Sequence, residues 1–139
     1  MKTRRRRVYI ASRMTNGTGR TYDIPAIREA IILSARLQEL GYAPYCPQLT
    51  LFAEAICPLP YESWLGLDFE WIDVCDVLWR RTNESRGADR EVEYALASGI
   101  DVFLEGSLLD LEDSLGSFIA LFPPQVEISD EVSNQTTAQ

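Results

Sequence analysis

CDVLWRRTNESRGADREVEYALASGIDVFL, residues Cys75 to Leu104, reads as strand, polar turn, helix, glycine and strand. Val77, Leu78 and Trp79 form the first apolar run and Val102, Phe103 and Leu104 the second. Between them Val92, Ala95, Leu96 and Gly99 recur at helical spacing, which predicts a stripe that packs on a sheet. A strand, a helix and a strand over this length make a βαβ unit, and that unit requires parallel strands. In parallel sheets ligands bind beyond the carboxyl ends of the strands, where helices begin. The turn from Thr82 to Glu91 is such a place.

Working outward, Val8-Tyr9-Ile10-Ala11 is β-branched and aromatic and predicts the first strand. The polar loop Ser12 to Arg20 follows it, a usual setting for substrate contacts. It matches neither the G-x-G-x-x-G fingerprint nor a Walker A loop, so a dinucleotide or NTPase site is not expected there. Asp23 and Pro25 suit a helix start, Ile27, Ile31 and Ala35 (with Leu33, Leu37 and Leu40) predict its buried stripe, and Gly41 its end. Tyr42 to Cys46 predicts the second strand. Leu49 to Ile56, cut by Pro58 and Pro60, reads as a flap or a short helix. Tyr61 to Val74 predicts a helix with Trp64, Asp68, Trp71 and Ile72 on one face. Ser107 suits the cap of a last helix through Leu108, Leu111, Leu115, Phe118 and Phe122, stopped by Pro123-Pro124.

The expected fold is therefore α/β: a small Rossmann-like three-layer α/β/α sandwich on a mainly parallel sheet of four to five strands; spacing alone does not fix the strand order, which is taken as 2-1-3-4. Residues 1–124 form one domain. Residues 125–139 are acidic and polar and are expected to be a disordered tail.

Composition narrows the function. A net charge of −8 opposes broad nucleic-acid or anionic-membrane binding. The run Arg4 to Arg7 stands against that trend, either as a solvated end or as an anion contact. With no histidine in the chain, His-based catalysis and His metal sites are excluded, and no metal or cofactor is expected. Cys46, Cys57 and Cys75 have no CxxC spacing and read as reduced thiols of a cytoplasmic protein. No apolar run approaches the ~20 residues of a membrane span, and the run after Arg7 is too short for a signal-peptide core.

Two carboxylates stand out. Asp68 interrupts an apolar face, where burial is costly unless the group is paired or used. Glu91 flanks the stripe of the central helix, close enough to its start for the helix dipole to favour the ionised form. Ser85 and Gly87 precede it, either as a plain helix cap or as an anion cradle of hydroxyl and amide donors. The basic turn Arg80-Arg81-Thr82-Asn83-Glu84 is a further candidate to meet an anionic ligand.

Ser85-Arg86-Gly87-Ala88-Asp89-Arg90-Glu91 fits S-x-G-x-x-x-E, and Glu91 to Gly99 fits E-x-G/E-x-A-x-x-x-G. With Val8 to Ser12 and Cys75-Asp76-Val77-Leu78, these residues resemble the nucleoside 2-deoxyribosyltransferase superfamily over roughly residues 8–104. The likeness is greatest to its 2'-deoxynucleoside 5'-monophosphate N-glycosidase branch and to phage-borne proteins of the same fold. The resemblance implies chemistry at the N-glycosidic bond of a small-molecule nucleoside or nucleotide. It assigns Glu91 as the nucleophile on the anomeric carbon, Asp68 as a base or sugar contact that helps protonate the leaving base, and Tyr9 as the group holding the Glu. It also implies Ser85 and Gly87 as substrate contacts, with Ser12, Arg13 and Asn16 from the first loop, although that loop is shifted relative to the family's. A homodimer or higher homo-oligomer is implied, with some site residues donated by a neighbouring subunit. Three readings stay open: an N-glycosidase or transferase, a nucleotide-derivative binder without turnover, and a protein in which Ser85 and Glu91 only cap a helix.

Overall fold

The computed structural model describes residues 4–17 and 21–125. The elements are β1 (Arg7–Ala11), α1 (Ile24–Glu39), β2 (Ala43–Tyr45), a 3-10 turn (Pro47–Thr50), α2 (Leu51–Ile56), α3 (Tyr61–Asp73), β3 (Val77–Arg80), α4 (Arg86–Ala97), β4 (Asp101–Leu104) and α5 (Leu111–Leu121). The four strands pair in parallel in the order β2-β1-β3-β4, the order expected from the sequence. None of the described helices is long and apolar enough to cross a membrane.

Strand alternation sorts the core into two halves. Val8 and Ile10 of β1, Val77 and Trp79 of β3 and Phe103 of β4 face Leu33 and Leu37 of α1 and Leu115 and Phe118 of α5. Tyr9, Ala11 and Leu78 point the other way, onto Ile72 of α3 and Ala88 and Ala95 of α4. The layers are therefore α1 and α5 on one face and α3 and α4 on the other. Tyr9 pairs with Leu78 in the register of β1 and β3, so its side chain shares a face with α3 and α4.

Several local expectations are corrected. On α1 the buried residues are Ile27, Ala30, Leu33, Ser34 and Leu37, while Ile31 is 39% exposed. A strict step of four drifts off the helix face, and mixed steps of three and four follow it. On α4 the buried set is Ala88, Glu91 and Ala95, and Leu96 is 62% exposed. Gly99 does not pack in the stripe; it lies past the helix end with φ +75°, a conformation that favours glycine. On α3 the buried residues are Leu65 and Ile72, whereas Trp71 is largely exposed and stacks on Tyr45 at 5.3 Å between ring centroids. The cap of α5 is Asp110, which accepts from the Asp113 amide, rather than Ser107.

The basic N-terminal run is tied down instead of free. Arg4 forks onto both oxygens of Asp76 at 2.8 Å, the Arg7 amide donates to the same carboxylate, and Arg6 Nε donates to the Pro123 carbonyl. Of the tail expected from residue 125 onward, residues 126–139 lie outside the described residues.

Phe118 is fully buried, and its ring lies within 5.3 Å of those of Trp79, Phe103, Tyr42 and Phe122. Phe118→Ala is expected to lower stability by ~3–5 kcal/mol in urea unfolding, because α5 closes that half of the core through this ring.

Candidate active site

A cleft of about 800 Å³ opens at the carboxyl ends of β1 and β3. The loop after β1 lines one side with Ser12, Met14 and Thr15. The start of α4 lines another with Ser85, Arg86, Gly87 and Glu91. The segment after β2 adds Gln48 and Glu54, and α3 adds Trp64 and Asp68. Asp68 and Glu91, placed on separate helices by the chain, thus open onto one cavity.

Glu91 is 6% exposed, and one of its oxygens, Oε2, accepts a hydrogen bond from the Tyr9 hydroxyl. Burial pushes its pKa up to about 8; the Tyr9 hydrogen bond and the Arg80 charge oppose that rise, and Asp68 adds to it. The helix dipole does not hold Glu91 ionised, contrary to expectation. Glu91 lies in the second turn of α4, beyond the reach of the dipole, and desolvation dominates. Asp68 is also raised by burial, to about 6, against a lowering by the same Tyr9 hydroxyl. Tyr9 is fully buried and held well above its ordinary value by burial and by the charges of both acids, so it stays a donor. The two carboxyls titrate as a pair, and between about 6 and about 8 the pair holds one proton. One acid and one base facing a common cavity can protonate a leaving group and attack or activate a centre.

Ser85 caps α4, its oxygen accepting from the Ala88 amide at 3.1 Å. That role uses an acceptor and leaves the hydroxyl proton to donate, so cap and ligand contact are compatible. Gly87 leaves room at the rim: a Cβ there would stand 3.0 Å from the Tyr61 hydroxyl. Ser12 is buried, and its Oγ accepts from Asn83 Nδ2 at 2.9 Å.

Arg13 and Asn16 are not among the residues that line the cleft. Arg13 Nε donates to the Thr15 carbonyl at 2.8 Å and pairs with Asp23, and the Asn16 amide donates to the Thr21 carbonyl. The bridge between Thr15 and Tyr22 sets which way this loop presents its residues, bringing Met14, Thr15 and Gly17 to the cavity. A loop has no fixed period, so the sequence does not say which side chains face inward. Of the basic turn, Glu84 lines the cleft and the two arginines do not. Arg81 forks onto the buried Glu105, and the Arg80 guanidinium is turned onto Asn83 and Asp89, outside the cleft lining.

Sequence reasoning missed Gln48, Glu54, Arg86 and Arg90 as cleft residues. Gln48 is 2% exposed and donates from Nε2 to the Ser12 carbonyl at 3.0 Å. Glu54 accepts from the Trp64 indole and from the Leu59 amide, joining α2 to the helix that carries Asp68. A lone acid inside the apolar run Leu49 to Ile56 was the available signal.

In sequence, no protein-family model and no curated protein matches this chain. In structure it is similar to the 2-deoxyribosyltransferase of the psychrotolerant bacterium Bacillus psychrosaccharolyticus, at 20% identity and a TM-score of 0.50 over 78% of this chain and 81% of that one. The chain has the fold of a 2-deoxyribosyltransferase. It is also similar to a CMP N-glycosidase from Clostridium botulinum, at 19% identity and a TM-score of 0.48 over 81% of each chain.

On this 2-deoxyribosyltransferase fold the two raised carboxyls make stability depend on pH. Their ordinary values are 4.5 for Glu91 and 3.8 for Asp68. From those values up to about 8 and about 6 the folded chain keeps protons that the unfolded chain has released. Stability therefore falls as pH rises through that window. Glu91→Gln removes the larger share. At ~1.4 kcal/mol for each pKa unit, it is expected to stabilise the fold by ~2 kcal/mol or more at pH ~8 and by little at pH ~4.5. Urea unfolding of both proteins at the two pH values checks this, and an equal difference at both would show that Glu91 does not titrate there.

Proposed function

We propose that the protein cleaves or transfers the N-glycosidic bond of a (deoxy)nucleotide or nucleoside. The observation that carries this reading is the pair Glu91 and Asp68, both desolvated, both set against the Tyr9 hydroxyl and both open to one cleft. The fold shared with a 2-deoxyribosyltransferase supports it.

The productive form carries the single proton of the pair on Asp68 and the charge on Glu91, the reverse of the order of their raised pKa values and so the minor arrangement of the free pair, which the Arg80 charge acts to populate. A Glu91 oxygen attacks the anomeric carbon as the bond to the base breaks. The bonding electrons leave with the base, and Asp68 supplies its proton. The glycosyl ester on Glu91 then passes to water or to a second base, as in retaining glycosidases. Ser85, with the amides at the start of α4, would take a phosphate if the substrate carries one. The partner expected is a small-molecule nucleotide or nucleoside, and no cofactor enters the scheme. We further propose a homo-oligomer in the cytoplasm: Trp71, 45% exposed on α3, offers apolar surface to a neighbouring copy, and three free cysteines suit a reducing compartment.

A second reading, a nucleotide-derivative binder without turnover, is favoured by the near-complete burial of Glu91 and by its pKa of about 8. In that reading a protonated Glu91 donates a hydrogen bond and attacks nothing.

Chromatography of free base released from a panel of deoxynucleosides and their 5'-monophosphates separates the two. Release is expected, highest between pH about 6 and about 8, where the pair holds one proton, and lower on either side. Glu91→Ala is expected to lower release at least ~10³-fold while ligand-induced thermal stabilisation persists. Saturable binding without release by the parent protein would establish the binder instead, and release surviving in Glu91→Ala would remove that residue as the nucleophile.

A further inference from the structure

The basic turn after β3 was expected to meet a ligand, yet its first arginine faces inward. Arg80 is the last residue of β3 and is 9% exposed. Its guanidinium donates to the Arg81 carbonyl at 2.6 Å, to Asn83 Oδ1 at 3.1 Å and to Asp89 Oδ1 at 3.2 Å. Asn83 carries the connection onward. Its Oδ1 also accepts from the Arg13 amide at 3.1 Å, and its Nδ2 donates to Ser12 Oγ at 2.9 Å. One planar fork therefore holds three things together: the turn 81–85, the loop after β1 and the second turn's neighbour Asp89 on α4. Ser12 and Ser85, which both line the cleft, sit on the two loops so joined.

We infer that Arg80 is a positioning residue for the candidate active site, acting through Asn83 to fix the spacing of the Ser12 and Ser85 rims and standing as a buried cation behind Glu91. The inference rests on the N-glycosidic reading for its kinetic consequences but not for its electrostatic one. A lysine cannot replace the fork, because an ammonium lacks the planar donors that reach Asn83 and Asp89 together. It does preserve the charge. The groups that face Glu91 are Tyr9 of β1, Tyr45 of β2, Asp68 of α3 and Arg80 of β3, so Arg80 is the sole cation among them. Its removal leaves one acid and two phenols around a desolvated carboxylate, which must then hold its proton to higher pH.

Three variants separate clamp from charge: Arg80→Met, Arg80→Lys and Asn83→Ala. Infrared titration of the protonated carboxyl band reads Glu91 without requiring turnover, and Glu91→Gln assigns the band. Arg80→Met is expected to move the Glu91 midpoint upward, while Arg80→Lys and Asn83→Ala leave it in place. With a substrate from the base-release panel, Asn83→Ala and Arg80→Lys are expected to raise KM about tenfold with a smaller change in kcat, because the rims lose their register. The alkaline limb of the rate profile moves upward in Arg80→Met alone. If Arg80→Met does not fold, the other two variants still decide the clamp. An unmoved midpoint in Arg80→Met, or an unchanged KM in both Asn83→Ala and Arg80→Lys, overturns the assignment. Absence of base release from the parent protein refutes the N-glycosidic reading instead, and leaves the titration result standing.

Discussion

A single phenol between two desolvated acids organises this protein. The Tyr9 hydroxyl lies in the core, bonded to Glu91 and facing Asp68. Burying two carboxyls in one cleft is costly, and the chain offsets the cost with raised pKa values, a donor that does not ionise and the charge of Arg80. The energetic consequence and the chemical capacity have one origin. Desolvation raises both acids, and it is the raised values that let one act as acid while the other acts as base near neutrality.

The sheet delivers that arrangement. Parallel pairing in the order β2-β1-β3-β4 sets β1 and β3 side by side, so their carboxyl ends and following loops share one crevice. Strand alternation then decides that Tyr9 points to the α3 and α4 face, while its neighbours Val8 and Ile10 point to the aromatic half under α1 and α5. A slip of one residue in β1 would exchange those faces and dismantle the site.

Much of this was legible along the chain. The βαβ rhythm of Cys75 to Leu104 announced a parallel sheet, and spacing marked Asp23 and Ser85 as helix caps, as observed. Asp68 and Glu91 stood out as acids beside apolar stripes. What was misread shares a cause. Leu96, Ile31 and Trp71 are apolar residues at the edge of a helical stripe, and whether an edge residue is covered depends on what packs next to it. Arg13 and Asn16 belong to a loop, where no periodicity dictates direction, whereas Arg80 is the last residue of β3 and alternation puts it on the face of Leu78.

By itself the sequence determined the order of strands and helices, the parallel sheet, the absence of histidine chemistry and the identity of the two acids. These follow from local periodicity, backbone propensity and composition, all of which act over a few residues. Only the tertiary structure decided that Glu91 is desolvated beyond the help of its helix dipole, and that Arg80 and Arg81 turn onto Asn83, Asp89 and Glu105. Charge and burial are properties of what surrounds a group, and here the surroundings come from β1, β2, α3 and β3, distant in the chain and adjacent only after folding.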